Sequence, residues 1–139
     1  MTIEDLIERD VQTIRPDETC TKAAAHMRDA NVGSLIVTTV DDRPIGIVTD
    51  RDLVVRVLAP GHDGARPVRE AMTREPIFLR ERAPVREVIE TMRDQRLRRV
   101  IVVDEEGRLC GVLCLDDLVM QLGDTLAGLA QALRSELSR

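Results

Sequence analysis

The sequence contains an internal duplication, and this feature limits its possible folds more than any other. When the chain is aligned with itself at an offset of 65 positions, twelve identical residues match without a gap. In the first copy they are Arg9, Arg15, Met27, Arg28, Asp29, Ile36, Val37, Arg43, Gly46, Asp52, Leu53 and Val54. Such a repeat indicates two copies of one supersecondary unit that share a core. We therefore expect two similar halves, packed against each other about an approximate two-fold axis.

Both copies show the same order of patterns, which predicts a βαββα unit. A short apolar run precedes a segment with helical spacing of apolar residues, and two β-branched runs separated by turn-forming residues follow. These segments are residues 11–15, 18–30, 34–40 and 45–49, and then residues 76–79, 83–96, 99–104 and 109–114. A short helix opened by acidic residues closes each copy, and short helices at residues 3–8 and 68–72 lead into the copies.

These patterns divide the chain into four parts. Residues 3–60 form the first repeat, residues 61–67 a linker rich in proline and glycine, and residues 68–122 the second repeat. Residues 123–139 form a C-terminal amphipathic helix. The fold class predicted is α+β, with two repeats related by a pseudo-two-fold axis and packed sheet to sheet.

The C-terminal segment carries leucines on one face. At helical pitch they fall within an arc of roughly 80°. They are Leu122, Leu126, Leu129, Leu133 and Leu137. Two interpretations remain open: a helix packed back on its own chain, or a helix that self-associates.

Composition argues against several classes of protein. The net charge is −5 with no basic block, and a single phenylalanine is the only aromatic residue. A dedicated nucleic-acid surface is not expected, because base stacking needs aromatic side chains. No apolar run is long enough to span a bilayer, and the acidic start of the chain does not resemble a signal peptide. These features predict a cytoplasmic protein without membrane association.

Residues suited to catalysis or metal binding are few. We interpret His26 as a surface or packing residue of the first long helix, and His62 as a solvated residue of the linker. Cys20, Cys110 and Cys114 are too few for a disulfide framework. On one strand, the last two would lie roughly 13 Å apart, too far to share a zinc ion. The sequence predicts no enzyme, no metal site and structural cysteines.

One segment brings polar groups together at the end of a strand. Thr49 ends the second predicted strand of the first copy, and Asp52 lies in the first turn of the next helix. A hydroxyl, a carboxylate and free backbone N–H groups should therefore converge at one sheet edge. Two interpretations stay open: the pair serves only to cap the helix, or Asp52 accepts hydrogen bonds from the vicinal hydroxyls of a ribose.

The segment Gly46-Ile47-Val48-Thr49-Asp50-Arg51-Asp52 resembles the characteristic motif of cystathionine-β-synthase (CBS) domains, and Val-Arg-Glu-Ala-Met-Thr-Arg-Glu-Pro-Ile at residues 68–77 resembles their leading segment. The resemblance covers residues 3–122. It implies a tandem CBS pair, also called a Bateman module, of the kind that dimerises as a flat disc. It also implies that Thr49, Asp52 and Gly46 contact an adenosine-containing ligand, whose adenine rests on Thr13 and Ile14.

The second copy departs from this pattern. It has Cys114 where the first copy has Thr49, and it keeps Asp117 in place of Asp52. Because a thiol is a weak hydrogen-bond partner, we expect one competent site and one weaker site. The weaker site would use Asp117 together with Ser34, Ile77 and Phe78.

A basic pair is the second clue. Arg98 and Arg99 resemble the family's basic residues before a strand, which contact phosphate in nucleotide-sensing members. The resemblance implies that they face Thr49 and Asp52 around one ligand. The alternative is that they belong to a solvated basic face.

The predicted function is therefore reversible binding of AMP, ADP, ATP or a related nucleotide as a regulatory ligand, with no cofactor required. Binding would signal, through a conformational change, to a regulated protein that the sequence does not identify. The alternative is a dimeric interaction scaffold that binds no ligand. A scaffold would tolerate Asp52→Asn, whereas a nucleotide sensor would lose most of its affinity.

Overall fold

The structure, a computed structural model, describes residues 3–138. It contains seven strands and four helices within these residues. In chain order they are β1 (Thr13–Ile14), α1 (Cys20–Ala30), β2 (Ser34–Thr38), β3 (Pro44–Thr49), α2 (Asp50–Asp52, continued by π-helical turns at Leu53–Leu58), β4 (Thr73–Arg74), β5 (Phe78–Arg80), α3 (Val85–Gln95), β6 (Arg99–Val103), β7 (Leu109–Cys114) and α4 (Leu115–Leu137). Single 3-10 turns lie at Glu4–Leu6 and Val68–Glu70.

The strands form two sheets with matching topology. The first sheet has the order β1-β2-β3-β4, and the second has the order β5-β6-β7. In each sheet the first strand runs parallel to the second, and the second runs antiparallel to the third. A buried cluster of Ile36, Ile101, Val103 and Val112 joins the two sheets. These observations confirm the predicted α+β class and two repeats packed sheet to sheet.

The lead-in segments cross over between the repeats, which the sequence patterns did not indicate. Ile3 and Ile7 lie in the core of the second repeat, and Glu8 exchanges two backbone hydrogen bonds with Val112, at 2.8 and 2.9 Å. Conversely, residues 68–72 lie against the core of the first repeat, and β4 pairs with β3. The short helices expected to lead into their own copies therefore pack on the other copy. The exchange ties the two repeats into one folded unit.

Two equivalent glycines make this exchange possible. A Cβ added at Gly46 would lie 2.5 Å from the Sδ atom of Met72 and 2.9 Å from the carbonyl oxygen of Thr73. A Cβ added at Gly111 would overlap the carbonyl oxygen of Glu8. Any larger residue would push the crossed-over segment off the sheet. The glycine of the Gly46–Asp52 motif is therefore needed for packing.

The helix α4 differs from the prediction of a short closing helix followed by a separate amphipathic helix. It is one continuous helix of 23 residues. Leu118 is buried in the second repeat, but the leucines from Leu126 onwards are 63–77% exposed. The helix therefore does not pack back on its own chain, which was one of the two interpretations of the leucine pattern. Within the described residues, no helix is long and apolar enough to cross a membrane.

Candidate ligand-binding site

A cavity of about 440 Å³ lies where the two repeats meet. Residues 8–12, the turn from α1 into β2, and residues from β6 and β7 line it. Its polar side chains are those of Glu8, Asp10, Gln12, Asn31, Ser34 and Arg99. Val11, Ile36 and Val112 supply apolar walls. A cavity with apolar walls and a few charged groups is typical of small-molecule sites.

The cavity receives the equivalent residue from each repeat. Ser34 and Arg99 are 65 positions apart, and each begins the second strand of its own sheet. Ser34 pairs with Thr49 on the neighbouring strand, and Arg99 pairs with Cys114. Directly opposed residues on antiparallel strands point to the same face. Thr49 therefore lies beside the cavity, although it does not itself line it.

Thr49 and Asp52 form a reciprocal cap at the start of α2. The Asp52 backbone N–H donates to the Thr49 hydroxyl at 3.0 Å, and the Thr49 N–H donates to Asp52 Oδ2 at 2.9 Å. The second carboxylate oxygen, Oδ1, lies 3.8 Å from Nε of Arg56. The structure thus contains the helix cap that was one of the two interpretations of this pair. One carboxylate oxygen of Asp52 remains without a short hydrogen bond among the described residues.

The second repeat lacks this cap. Cys114 stands at the N-cap of α4 and makes no side-chain capping hydrogen bond, and Asp117 is exposed. The pKa of the Cys114 thiol is raised, mainly by burial. Arg99 acts to lower this pKa, whereas Asp117 and Glu8 raise it further. A protonated thiol is a weak donor and a weak acceptor. The Thr49-to-Cys114 change thus removes the side-chain cap at this helix end, and the weaker ligand site expected in the second copy stays a prediction.

The two arginines of the basic pair separate in the structure. Arg99 lines the cavity, whereas Nη2 of Arg98 lies 2.7 Å from Oδ1 of Asp116 in its own repeat. Arg98 lies in the bend before β6, and Arg99 is the first residue of that strand. That Arg98, Arg99, Thr49 and Asp52 surround one ligand stays a prediction.

A family model for the CBS domain matches this chain twice, at residues 3–59 and 68–124. The chain belongs to the CBS domain family. The two matches correspond to the two halves found by self-alignment, so the protein is a tandem CBS pair.

Curated relatives extend along most of this CBS pair. An uncharacterized protein of Methanopyrus kandleri is 33% identical over 86% of the chain, which spans 61% of that relative's length. YlbB of Bacillus subtilis, also uncharacterized, is 39% identical over 84% of the chain and 78% of its own length. The inosine-5′-monophosphate dehydrogenase of Methanocaldococcus jannaschii is 30% identical, but the match covers only 22% of that enzyme.

Solved CBS structures share the fold. Hypoxic Response Protein I, solved with two coordinated zinc ions, is 31% identical with a TM-score of 0.74 over 86% of this chain and 98% of the other. A CBS domain protein from Pyrobaculum aerophilum, complexed with AMP, is 29% identical with a TM-score of 0.71 over 85% and 90%. The cytosolic domain of the Mg²⁺ channel MgtE, in complex with ATP, is 27% identical with a TM-score of 0.72 over 82% and 46%.

The remaining predicted contacts of the CBS pair lie elsewhere. Thr13 and Ile14 line a separate groove between β1 and α1, together with His26. Phe78 lies at a second groove beside Met72, and Ile77 is 39% exposed. The structure therefore gathers Ser34 and Arg99 at the cavity, with Thr49 beside Ser34 on the neighbouring strand and Asp52 in the cap of α2. It does not bring these other residues to the same cavity.

Sequence reasoning missed the polar residues at the floor of the cavity. Gln12 lines it, and its Oε1 atom accepts a hydrogen bond from Nε2 of His26 at 2.8 Å. The 65-residue offset would have indicated Gln12, because it is the counterpart of Ile77. Glu8 and Asp10 carried no such signal, since they reach the cavity only through the crossed-over lead-in segment.

All three cysteines are free, and their thiols have raised pKa values. Burial raises the pKa of the Cys20 and Cys110 thiols as well, with nearby Glu70 and Glu81 acting in the same direction. Thiols with a raised pKa are poor nucleophiles and poor ligands at neutral pH. Across residues 3–138, no group of three or more histidine, cysteine or acidic side chains is placed to hold a metal ion.

Proposed function

We propose that this CBS pair is a regulatory module that reversibly binds an adenosine-containing ligand and signals the bound state to a partner protein. The cavity between the repeats is the observation that carries this proposal, because its walls come from both halves of the molecule. The AMP complex of the Pyrobaculum relative supports the ligand class. A ligand held between two halves can favour one packing of those halves over another, which is the requirement for a ligand-driven switch.

The ribose would bind at the border of the cavity. Thr49 lies opposite Ser34, and Asp52 keeps Oδ1 available beside the Thr49 cap. A carboxylate oxygen in this position can accept a hydrogen bond from a ribose hydroxyl. Capping and ligand binding are therefore compatible functions of Asp52. We propose this repeat as the competent site, and the uncapped Cys114–Asp117 side as the weaker one.

The charges around the cavity favour few phosphates. Arg99 offers one guanidinium group to a phosphate, whereas Glu8 and Asp10 contribute two carboxylates. Repulsion by these carboxylates grows with each phosphate added to the ligand, although solvent weakens it at exposed side chains. We therefore propose that AMP binds more tightly than ADP, and ADP more tightly than ATP.

The proposal includes a homodimer and no catalytic step. Val54 and Val119 are equivalent residues on the helices that close the two repeats, and they are 54% and 57% exposed. Exposed apolar side chains in matching positions are suited to burial against a second copy. The dehydrogenase relative shares only its CBS region with this chain, which supports a regulatory role over an enzymatic one.

Thermal unfolding with AMP, ADP, ATP, NAD, S-adenosylmethionine and cyclic dinucleotides tests the proposal. A ligand at 100 times its dissociation constant stabilises the folded state by about 2.7 kcal/mol, a shift of several degrees for a domain of this size. Asp52→Asn should abolish the shift, and the equivalent Asp117→Asn should leave most of it. Each variant is compared with its own ligand-free melting temperature, so a change in the helix cap is not mistaken for a change in affinity.

A scaffold that binds no ligand is the second candidate. The observation in its favour is the Thr49–Asp52 cap, which gives both residues a structural use without any ligand. If none of the nucleotides shifts the melting temperature, and Asp52→Asn changes only the ligand-free stability, the scaffold replaces the sensor.

A further inference from the structure

The second half of α4 extends beyond the folded core. Leu118 is buried at 1% exposure and Leu122 is 37% exposed, but Leu126, Leu129 and Leu133 are 63–68% exposed. A Cβ added at Gly128 would find no atom within 4 Å outside the helix itself. The described residues therefore leave this part of the helix uncovered. The uncovered part, residues 126–137, is about 12 residues long, and a helix of that length with no packing partner is only marginally stable in water.

The exposed leucines follow a heptad pattern. Taking Val119 as position a, the a positions are Val119, Leu126 and Leu133, and the apolar d positions are Leu122 and Leu129. The next d position is Glu136, so the pattern ends at Leu133. Alternate spacings of three and four residues keep these side chains on one stripe, which we call the leucine seam. Asp117, Gln121, Asp124, Gln131 and Ser135 lie on the opposite face. The seam is thus a continuous apolar stripe on an otherwise polar helix.

The residues beside the seam permit two identical helices to approach. The e and g positions from residue 123 to residue 132 are Gly123, Thr125, Ala130 and Ala132. None of them is charged, so two copies would meet no like-charge repulsion along the contact. The charged residues Asp124 and Arg134 lie off the seam, and Glu136 lies at the d position beyond its last leucine. A seam that is neutral and small at its edges is complementary to a second copy of itself.

The area available is consistent with a reversible pair. The five seam residues are 37–68% exposed. Taking roughly 100 Å² for a fully exposed side chain, they would remove on the order of 600 Å² from water in a symmetric dimer. The flanking small residues and the backbone add to that area, which lies below that of stable specific interfaces and in the range of weak, transient ones. This size indicates an equilibrium that depends on protein concentration, and not an obligate dimer.

We propose that α4 forms a two-stranded coiled coil with the same helix of a second copy, through the leucine seam. The inference rests on the proposed homodimer and extends its surface from Val119 along α4, and it is independent of ligand binding. Pairing would bury the leucines that the fold leaves exposed and would order the end of the helix.

Sedimentation equilibrium of the full-length protein over a range of concentrations tests the seam. The seam variant is Leu126→Asp with Leu133→Asp, and its matched control is Gln131→Asp with Ser135→Asp on the opposite face. We expect the wild type and the control to dimerise with a micromolar dissociation constant. The seam variant should dimerise at least a hundred-fold more weakly. Because none of the substituted residues lies in the core, the melting temperature of the monomer provides the check on folding.

Helicity gives a second measurement. Dilution through the dimer dissociation range should lower the circular dichroism signal at 222 nm in the wild type, and the seam variant should show the lower helicity at every concentration. A wild type that stays monomeric at high concentration overturns both the homodimer and the seam. A seam variant that dimerises as tightly as the wild type overturns the seam alone and leaves the homodimer in place.

Discussion

At the start of α2, the side chains of Asp52 and Thr49 each accept a hydrogen bond from the other residue's backbone N–H, at 2.9 and 3.0 Å. The equivalent pair in the second repeat, Asp117 and Cys114, makes no such cap. The first repeat thus has a side-chain helix cap that the second repeat lacks. The difference gives a direct way to measure what the cap contributes and to separate it from ligand binding.

Restoring the cap in the second repeat should stabilise the protein. Cys114→Thr places a hydroxyl where Asp117 already occupies the partner position, and we expect a gain of about 1 kcal/mol in the free energy of unfolding. Thr49→Ala should cost a similar amount. Urea unfolding measures both changes. Cys114→Val is the control, since it has a similar volume without an acceptor; an equal gain in this variant would attribute the effect to packing.

The crossed-over segments should depend on the glycine beneath each of them. Gly111→Ala should destabilise the fold by about 2 to 3 kcal/mol, because its Cβ would overlap the carbonyl oxygen of Glu8. Gly128→Ala provides the contrast: its Cβ meets open space on a helix, and the change should stabilise α4 by about 0.5 to 1 kcal/mol. Thermal unfolding compares the two. Equal melting temperatures would mean that the lead-in segment can move aside without cost.

The two arginines of the basic pair should differ in their effect on nucleotide affinity. Arg99 lines the cavity, and Arg98 is paired with Asp116 on the surface. Losing one charge-assisted hydrogen bond to phosphate corresponds to roughly a tenfold weaker affinity or more. Isothermal titration with AMP should show this loss in Arg99→Ala and almost none in Arg98→Ala. The reverse order would place the phosphate outside the cavity.

Alkaline pH should weaken the fold through the cysteines. Burial is the main reason that the pKa of each of the three thiols is raised in the folded state. The folded protein therefore holds these protons more tightly than the unfolded chain does. Stability is fully present below the ordinary cysteine pKa of about 8.5 and is lost as the pH rises toward the folded values.

The measurement is urea unfolding between pH 7 and pH 10. The wild type should lose stability over this range more steeply than a variant with Cys20, Cys110 and Cys114 all replaced by alanine. Slopes against pH are compared, because the substitutions also change packing. Parallel slopes would exclude the thiols as the cause.

The repeated sequence was sufficient to predict the two sheets and their order of elements. Spacing of apolar residues is a local property, and strands such as Ser34–Thr38 and Arg99–Val103 follow directly from β-branched runs. The cap at Thr49 was also readable, because a hydroxyl and a carboxylate three residues apart at a helix start interact within one turn. The same reasoning predicted that Cys114 would weaken the second copy, and Cys114 makes no side-chain cap in the structure.

The location of the cavity could not be read in this way. Glu8 reaches it because the first lead-in segment pairs with Val112, more than 100 positions away in the chain. Arg99 lines it while its neighbour Arg98 pairs with Asp116 of the same repeat, a difference that the adjacent letters do not show. Gln12 lines the cavity, whereas its neighbour Thr13 lines the separate groove, because successive residues of an extended segment point to opposite sides.

The sequence by itself determined the repeat, the class of fold, the helix cap and the leucine seam. The repeat and the fold class follow from the 65-position self-alignment, and the cap and the seam depend on residues close together in the chain. Tertiary structure alone decided which lead-in segment covers which glycine and which arginine lines the cavity. It also decided that the second half of α4 extends beyond the core. These outcomes depend on how the two halves pack, and burial between distant segments leaves no periodic trace in the sequence.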